Sequence, residues 1–192
     1  MTHLSQAQLE TMNFKKLGKN VKISDKATIY YPDQMEIGDH SRIDDFCVIS
    51  GNIRIGAYVH IAAFCLLAGG KEGIVLEDFS GIAYHSQIFT ESDDYTGMAM
   101  VSPLIPEKFK KVCRAAVTVS RHVIIGGNAV IFPGVHIAEG CSIGAMTLVT
   151  KSTTPWGIYF GIPAKRIREK NRNVLEVEKQ FNAELSSHST SA

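Results

Sequence analysis

The chain has 192 residues and a mass of 21.0 kDa, enough for one domain that buries its own core without disulfide or metal staples. Its 20 basic and 19 acidic side chains give a formal net charge of +1, which argues against broad electrostatic binding to nucleic acid or to an anionic membrane. Isoleucine and valine outnumber leucine, and there are 16 glycines, a composition unusual for a helical or mixed domain. No apolar run reaches the roughly 18–20 residues of a membrane span, and the first residues lack a signal-peptide pattern. We therefore expect a cytoplasmic protein.

The first predicted element is a short helix in a lead-in segment, residues 1–19. Residues 4–16 read LSQAQLETMNFKK, and Ser5 is the predicted N-cap of this helix. Ile23 and Ile29, six residues apart, indicate a degenerate first turn of the repeat that follows.

Between residue 20 and about residue 162, an aliphatic residue recurs at every sixth position in three separate runs. Runs this long do not arise by chance in a chain of this composition. The members are Ile37, Ile43, Ile49, Ile55, Ile61 and Leu67, then Leu76, Ile82 and Ile88, then Val119, Ile125, Ile131, Ile137, Ile143 and Val149.

A six-residue period suits neither a lone helix nor a long strand, but it suits a short strand followed by a tight corner. The aliphatic residue and the small residue two positions before it point inward. Three corners close a triangular coil of about 18 residues, and stacked coils pair as parallel strands. We name the three faces A, B and C, so that Leu76, Ile82 and Ile88 lie on them in that order. Cys47, Cys65 and Cys141 fall at the small inward position, which favours a role in the core over a reactive one.

The period breaks after face C, and about 25 extra residues, roughly 90–118, leave the coil there. A loop of this length in a compact repeat is functional or disordered. Residues 163–185 are charged and contain few helix breakers, so they predict a C-terminal helix. Residues 186–192 predict a disordered tail.

The hexapeptides IGDHSR, IDDFCV, IGAYVH, IAAFCL, IGGNAV, IAEGCS and IGAMTL resemble the repeats of the hexapeptide-repeat acyltransferases, over about residues 20–170. This resemblance implies an all-β solenoid, a left-handed parallel β-helix of hexapeptide repeats with a projecting loop and short N- and C-terminal helices. It also implies acetyl-CoA as co-substrate, no metal, and a homotrimer whose three sites lie between subunits, with the loop projecting over the neighbouring subunit.

In the resembled family, coenzyme A lies along a column of corner residues and hydrogen-bonds to the backbone there. The matching positions are Gly127 and Ala145, at the corner between faces B and C, where small side chains leave the backbone open. Corners also favour small residues for packing alone. Four basic residues of the last coil are candidates for the coenzyme's phosphates, although a solvated basic segment would look the same: Lys151, Lys165, Arg166 and Arg168.

The base familiar in this family is a histidine in the loop, but no histidine occurs between residues 86 and 121. Asp93 falls at the expected position, and Asp93 or Asp94 is a candidate base or a group that orients an acceptor ammonium. The alternative role for both acids is to cap a turn. His85, in the same corner column as Gly127, is the alternative. The residues expected to contact the acceptor are Tyr84, Tyr95 and Asn128.

The SDDYTG loop, followed by a proline-containing stretch, resembles the branch that acts on nucleotide-linked amino sugars for surface polysaccharide. The predicted reaction is N-acetylation of a 4-amino or 3-amino deoxyhexose, because an amine needs less help than a hydroxyl to lose its proton. O-acetylation of a sugar or polysaccharide is the alternative within the same class. A non-catalytic or metal-dependent β-helix is the alternative outside it. The histidines His60, His85 and His122 fall at differing repeat positions, which disfavours a shared zinc site.

Overall fold

The computed structural model describes residues 2–189 and shows a parallel β-helix with three faces. Face A carries β1 (Lys16–Leu17), β4 (Met35–Ile37), β7 (Ile53–Ile55), β10 (Ile74–Leu76), β15 (Val117–Val119) and β18 (His136–Ile137). Face B carries β2 (Lys22–Ile23), β5 (Arg42–Ile43), β8 (His60–Ile61), β11 (Gly81–Ile82), β16 (Ile124–Ile125), β19 (Ser142–Ile143) and β21 (Gly157–Phe160), with β22 (Lys165–Glu169) at its edge. Face C carries β3 (Thr28–Tyr30), β6 (Val48–Ser50), β9 (Leu66–Ala68), β12 (Gln87–Phe89), β17 (Val130–Ile131) and β20 (Leu148–Val149). The predicted left-handed parallel β-helix of hexapeptide repeats is confirmed.

The register of the strands places residues of the same type above one another on successive coils. On face B, Ile43 pairs with Ile61, Ile61 with Ile82, and Ile82 with Ile125. These side chains are buried, and β-branched residues pack well in such columns. The small inward residues are buried as predicted, including Cys47, Cys65 and Cys141. The isoleucine-rich composition is therefore a direct consequence of the stacked coils.

The chain leaves the coil after face C, where the break in the six-residue period predicts the loop. The projecting loop has a two-stranded antiparallel base, formed by β13 (Glu91–Ser92) and β14 (Cys113–Arg114). Its distal part contains a 3-10 turn at Glu107–Phe109. After the loop, β15 rejoins face A in register with β10, so the insertion does not shift the coil.

The N-terminal helix α1 spans Gln6–Thr11 and covers the first coil. Ser5 is its N-cap, as predicted, and forms a capping box with Gln8. Leu9 is buried against the end of the core. The apolar interior of the first coil is thereby shielded at that end.

The predicted C-terminal helix is wrong in its first half. Residues 165–169 form strand β22, which pairs antiparallel with β21, and the helix α2 begins only at Val174 and runs to Ser189. The charged composition did not reveal that β22 can pair with the last parallel strand. Helix α2 also takes in residues 186–189 of the predicted disordered tail, whose remaining residues, 190–192, lie outside those described. Within residues 2–189, no helix is both long and apolar enough to cross a membrane.

Helix α2 packs along the corner between faces A and B. Phe181 makes edge contacts with the stacked rings of Tyr58 and Phe79, at centroid distances of 5.2 and 6.2 Å. The Glu178 carboxylate pairs with Arg121 and lies 2.8 Å from Nε2 of the buried His122. Burial opposes ionisation of Glu178, but its partners outweigh burial and lower the pKa of this carboxyl.

Replacing Glu178 by glutamine is expected to weaken the docking of α2 at neutral pH by about 1–3 kcal/mol, since it removes charge-assisted hydrogen bonds. A carboxylate with a lowered folded-state pKa stabilises above its unfolded pKa, and this contribution is lost as the pH falls through the folded value. The difference from wild type is therefore expected to shrink below about pH 4.5, the ordinary value for glutamate. Protection of the α2 amides against hydrogen exchange measures the effect, with Glu176→Gln, on the exposed side of the helix, as control. Equal protection in the two variants at pH 7 would contradict the assignment.

Candidate functional site

The predicted site residues lie at two opposite edges of face C. Tyr84 and His85 occupy the corner between faces B and C, before β12, whereas Asp93 follows β12 in the loop at the other edge. The three residues of β12 alone separate the edges by about 10 Å. One chain therefore does not bring the predicted acid and the predicted corner histidine together.

The corner between faces B and C forms a strip of open backbone toward the C-terminal coils. The Asn128 amide donates to the Tyr84 carbonyl at 2.9 Å, and the Met146 amide donates to the Gly127 carbonyl at 2.8 Å. A Cβ placed on Gly127 would approach only the Tyr84 carbonyl oxygen, at 3.2 Å. Ala145 is exposed beside Met146. The strip has the shallow, small-residue surface that the coenzyme-binding prediction requires.

His85 belongs to a ladder of rings that continues this corner toward the N-terminal coils. Its imidazole stacks on Phe64 with centroids 4.8 Å apart and planes inclined by 6°, and Phe64 stacks on Phe46 at 4.9 Å. His85 has a φ of 61°, the left-handed conformation that recurs at these corners. The stack fixes the plane of the imidazole, while the side chain stays exposed at the edge of the face.

The two adjacent aspartates of the loop have different surroundings. The Asp94 carboxylate accepts hydrogen bonds from the Thr96 hydroxyl at 2.8 Å, the Thr96 amide at 3.2 Å and the Met98 amide at 3.0 Å. These bonds from Thr96 and Met98 lower the pKa of Asp94. Asp94 therefore caps the turn, the role that was weighed for both acids, and Asp93 is left as the candidate for chemistry.

Asp93 lines a cavity of about 330 Å³ at the base of the loop, together with Ser92 and Pro103. Its walls also hold an ion-pair cluster. Glu107 bridges Lys110 Nζ at 2.7 Å and an Arg114 terminal nitrogen at 3.1 Å. The Lys110 side chain is only 7% exposed. Glu91 and Glu107 also line the cavity, but both pair with Arg114, so Asp93 is the carboxylate there that no described ion pair engages.

Tyr95 is 85% exposed at the tip of the same turn and Tyr84 is 58% exposed at the corner. Like His85 and Asp93, these two tyrosines lie at opposite edges of face C. Asn128 is exposed at the corner one coil beyond Tyr84. Their contacts with an acceptor stay a prediction.

The predicted phosphate-binding cations lie on strands and corners instead of on a helix. Lys165, Arg166 and Arg168 are all exposed on β22, where neighbouring side chains alternate between the two faces of the strand. Arg166 pairs with Glu169 at 2.5 Å. Lys151 is exposed after β20, at the same edge of face C as the loop. Trp156, which precedes β21, is buried and packs over Gly140.

One cluster was missed from the sequence. Asp44 is buried, accepts a hydrogen bond from Nε of Arg42 at 2.6 Å, and lies 2.9 Å from Nε2 of His60. The signal was present, because Asp44 stands at a face-B repeat position that the next coils fill with Ala62, Ala83 and Gly126. Among residues 2–189 there is no group of three or more histidine, cysteine or acidic side chains arranged to hold a metal ion.

Comparison with known proteins gives concordant results. Residues 35–69 match the family model described as bacterial transferase hexapeptide (six repeats). The chain is 38% identical over 184 residues to dTDP-4-amino-4,6-dideoxy-D-glucose acyltransferase of Escherichia coli, which covers 94% of this chain and 95% of the relative.

Two solved structures agree closely with this fold. AntD, an N-acyltransferase from Bacillus cereus crystallised with dTDP and 3-hydroxybutyryl-CoA, superposes with a TM-score of 0.95 at 42% identity, covering 96% of this chain and 98% of AntD. A serine-to-alanine variant of AntD with dTDP-4-amino-4,6-dideoxyglucose and coenzyme A gives a TM-score of 0.94 at 43% identity, covering 95% and 98%.

Proposed function

The chain belongs to the family of bacterial hexapeptide-repeat acyltransferases, and from this premise we propose that it transfers an acetyl group from acetyl-CoA to the amine of a nucleotide-linked amino sugar. The acceptor is a 4-amino or 3-amino deoxyhexose, with a dTDP-linked 4-amino-4,6-dideoxyhexose favoured. The observation that carries the proposal is near full-length similarity to an acyltransferase named for such a sugar, combined with one open carboxylate in the loop.

The chemistry requires a nucleophilic amine and a leaving thiolate. The amine nitrogen attacks the thioester carbonyl, the new C–N bond forms, the C–S bond breaks, and coenzyme A leaves. Before the attack, the bound ammonium gives one proton to Asp93 and so becomes the nucleophilic amine. After the attack, the nitrogen loses a second proton, which neutralises the leaving thiolate. Asp93 is the group that orients the ammonium and accepts its first proton, while the backbone amide of Gly127, with the Asn128 side chain a weaker candidate, faces the developing oxyanion. The Gly126 amide does not serve this role, because it donates to the Ile143 carbonyl at 2.7 Å.

Coenzyme A binds along the corner between faces B and C. Gly127 and Ala145 offer open backbone to the pantetheine arm, and cations at the last coil serve the phosphates. These cations are Lys151, Lys165, Arg166 and Arg168. The reacting carbonyl then lies near His85, one coil before Gly127, and the coenzyme extends away from the N-terminal coils.

The site is completed by assembly into a homotrimer. Face C is apolar on its outer surface at most strands, with Val48, Leu66, Val130 and Leu148 in one row. At the coils of Val48 and Leu66, the outer rows of faces B and A carry the charged Arg42 and Arg54, whereas at the coil of Val130 face B carries the exposed Ile124. Three copies that bury face C around a threefold axis place the loop edge of one copy against the corner of the next. Asp93 and His85 then meet between copies.

Nucleotide sugars and acyl-CoA are both cytoplasmic metabolites, which supports a cytoplasmic role in supplying modified sugars for surface polysaccharide. The test is release of the coenzyme A thiol on mixing purified protein, acetyl-CoA and a candidate acceptor. We expect turnover with a dTDP-linked amino sugar and none with galactosides or maltose. Turnover with galactosides or maltose alone would contradict the proposal.

A further inference from the structure

The Arg42, Asp44 and His60 cluster lies on the outside of face B, away from every residue placed in the transfer step. Arg42 and His60 are register partners on adjacent strands, so their side chains leave the same face one coil apart. The buried carboxylate of Asp44 reaches both, at 2.6 Å to Arg42 Nε and 2.9 Å to His60 Nε2. The cluster is therefore built as a unit, with one fixed guanidinium and one fixed imidazole.

Packing does not account for the acid at this position. On the other coils of face B the equivalent residue is small and uncharged, namely Ser24, Ala62, Ala83, Gly126 and Gly144, and the fold is maintained there. Burying a carboxylate costs free energy that a hydrogen-bonded ion pair at best offsets. We explain the buried carboxylate of Asp44 by the two groups that it holds on the outer surface, the guanidinium of Arg42 and the imidazole of His60, which can both bind a ligand.

The surface next to the cluster is open. Gly81 is the register partner of His60 on the next strand, and nothing lies within 4 Å of a Cβ built on it. Half of the His60 side chain and 43% of the Arg42 side chain are exposed beside this notch. Lys22 precedes Arg42 in the same row. The face thus offers a guanidinium and an imidazole next to unoccupied volume, a combination suited to phosphate oxygens.

We propose that Arg42 and His60, held by Asp44, bind the diphosphate of the nucleotide sugar. This inference rests on the proposed function. His60 lies one coil and Arg42 two coils on the N-terminal side of His85. Because coils in the solenoid are spaced by about 4.8 Å, these offsets along the solenoid axis are about 5 and 10 Å. That span is close to the size of one hexose ring plus its diphosphate. The coenzyme extends in the opposite direction, toward the C-terminal coils, so its own diphosphate does not reach this cluster.

In the proposed homotrimer, the cluster of Arg42, Asp44 and His60 lies where the diphosphate of the nucleotide sugar is expected. When face C is buried at the threefold axis, face B of one copy and face A of the next form the walls of an outer groove. The loop carrying Asp93 enters that groove over the corner between faces B and C. An acceptor amine at Asp93 can therefore have its diphosphate on face B of the adjacent copy.

Arg42→Gln, His60→Gln and Asp44→Asn, made one at a time, test the proposal. For Arg42→Gln we expect the KM for the nucleotide sugar to rise about 10- to 100-fold, with the KM for acetyl-CoA unchanged, because one charge-assisted contact is lost. Calorimetric binding of dTDP is expected to weaken by the same factor, and binding of coenzyme A is expected to stay at the wild-type level. Lys179→Gln, which removes an exposed charge from α2, is the control and is expected to match wild type.

The subsite is overturned if Arg42→Gln binds dTDP at wild-type strength, or if this variant loses affinity for coenzyme A by the same factor. Calorimetry needs no turnover, so it separates this inference from the proposed function. A wild-type protein that binds dTDP through Arg42 but acylates no amino sugar contradicts the proposed reaction and leaves the subsite standing. A wild-type protein that binds no dTDP contradicts the subsite, whichever acceptor it acylates.

Discussion

Asparagine in place of Asp93 is expected to lower kcat for N-acetylation about 10²- to 10⁴-fold, the range typical of a positioned acid–base group. The substitution keeps the shape of the side chain but removes the carboxylate to which we assign orientation of the ammonium and acceptance of its proton. The KM for acetyl-CoA is expected to stay unchanged, because Asp93 lies on the loop and the proposed coenzyme site is the corner. Steady-state kinetics with a saturating nucleotide sugar measure both quantities.

Asp94→Asn is the matched control, one residue away and with the same change of charge. Asp94 is engaged by Thr96 and Met98, so this variant is expected to loosen the turn and to lower kcat by a much smaller factor. A variant at Asp93 with nearly wild-type kcat, together with a large loss at Asp94, would reverse the roles assigned to the two acids.

Tryptophan in place of Ala145 is expected to raise the KM for acetyl-CoA about tenfold or more, by covering the corner strip with an indole ring. Ala145 is exposed, so the larger side chain extends into solvent and the coil is expected to remain intact. Circular dichroism checks the fold, and coenzyme A binding by calorimetry checks the site. Unchanged coenzyme affinity would exclude this corner as the pantetheine site.

Mixing the Asp93→Asn and Ala145→Trp variants tests whether the two edges of face C meet between copies. Each protein alone is expected to be nearly inactive at low acetyl-CoA. After subunit exchange at equal concentrations, about a quarter of the sites combine an intact loop with an intact corner, and about a quarter of wild-type activity is expected. No recovery despite exchange, or light scattering that returns the mass of one 21.0 kDa chain, would contradict a shared site.

The sequence was sufficient to predict the solenoid, because the six-residue period is formed by aliphatic side chains that all face one core. Each coil has an aliphatic residue at the same position of each face, so the register of Ile61, Ile82 and Ile125 follows from counting residues. The place where the loop leaves the coil follows from the same count, since the period stops after Ile88 and resumes at Val119.

Features without a period were predicted less well. Charged residues with few breakers are compatible with a helix or with an edge strand, and only pairing with β21 makes Lys165–Glu169 a strand. The sequence also did not distinguish the roles of Asp93 and Asp94, because the two acids are adjacent and share the same neighbours along the chain. Hydrogen bonds from Thr96 and Met98 separate them, and such bonds depend on the folded turn.

The corner histidine illustrates the remaining difficulty. Counting places His85 in the same column as Gly127, with the face-C residue Ile88 between it and the loop, but it does not show that the imidazole stacks on Phe64. Nor does it show that Arg42, Asp44 and His60 converge on face B, since an acid at a small position has no fixed partner until the coils stack.

The bond formed in the product tests the central proposal most directly. Wild-type protein is incubated with acetyl-CoA and dTDP-4-amino-4,6-dideoxyglucose, and in parallel with the matched sugar that carries a hydroxyl in place of the amine. The products are analysed by mass spectrometry before and after hydroxylamine, which cleaves esters and leaves amides intact. We expect one added acetyl group on the amino sugar, stable to hydroxylamine, and no product from the hydroxyl sugar. A hydroxylamine-sensitive acetyl group on the hydroxyl sugar, with the amino sugar unmodified, would contradict N-acyl transfer.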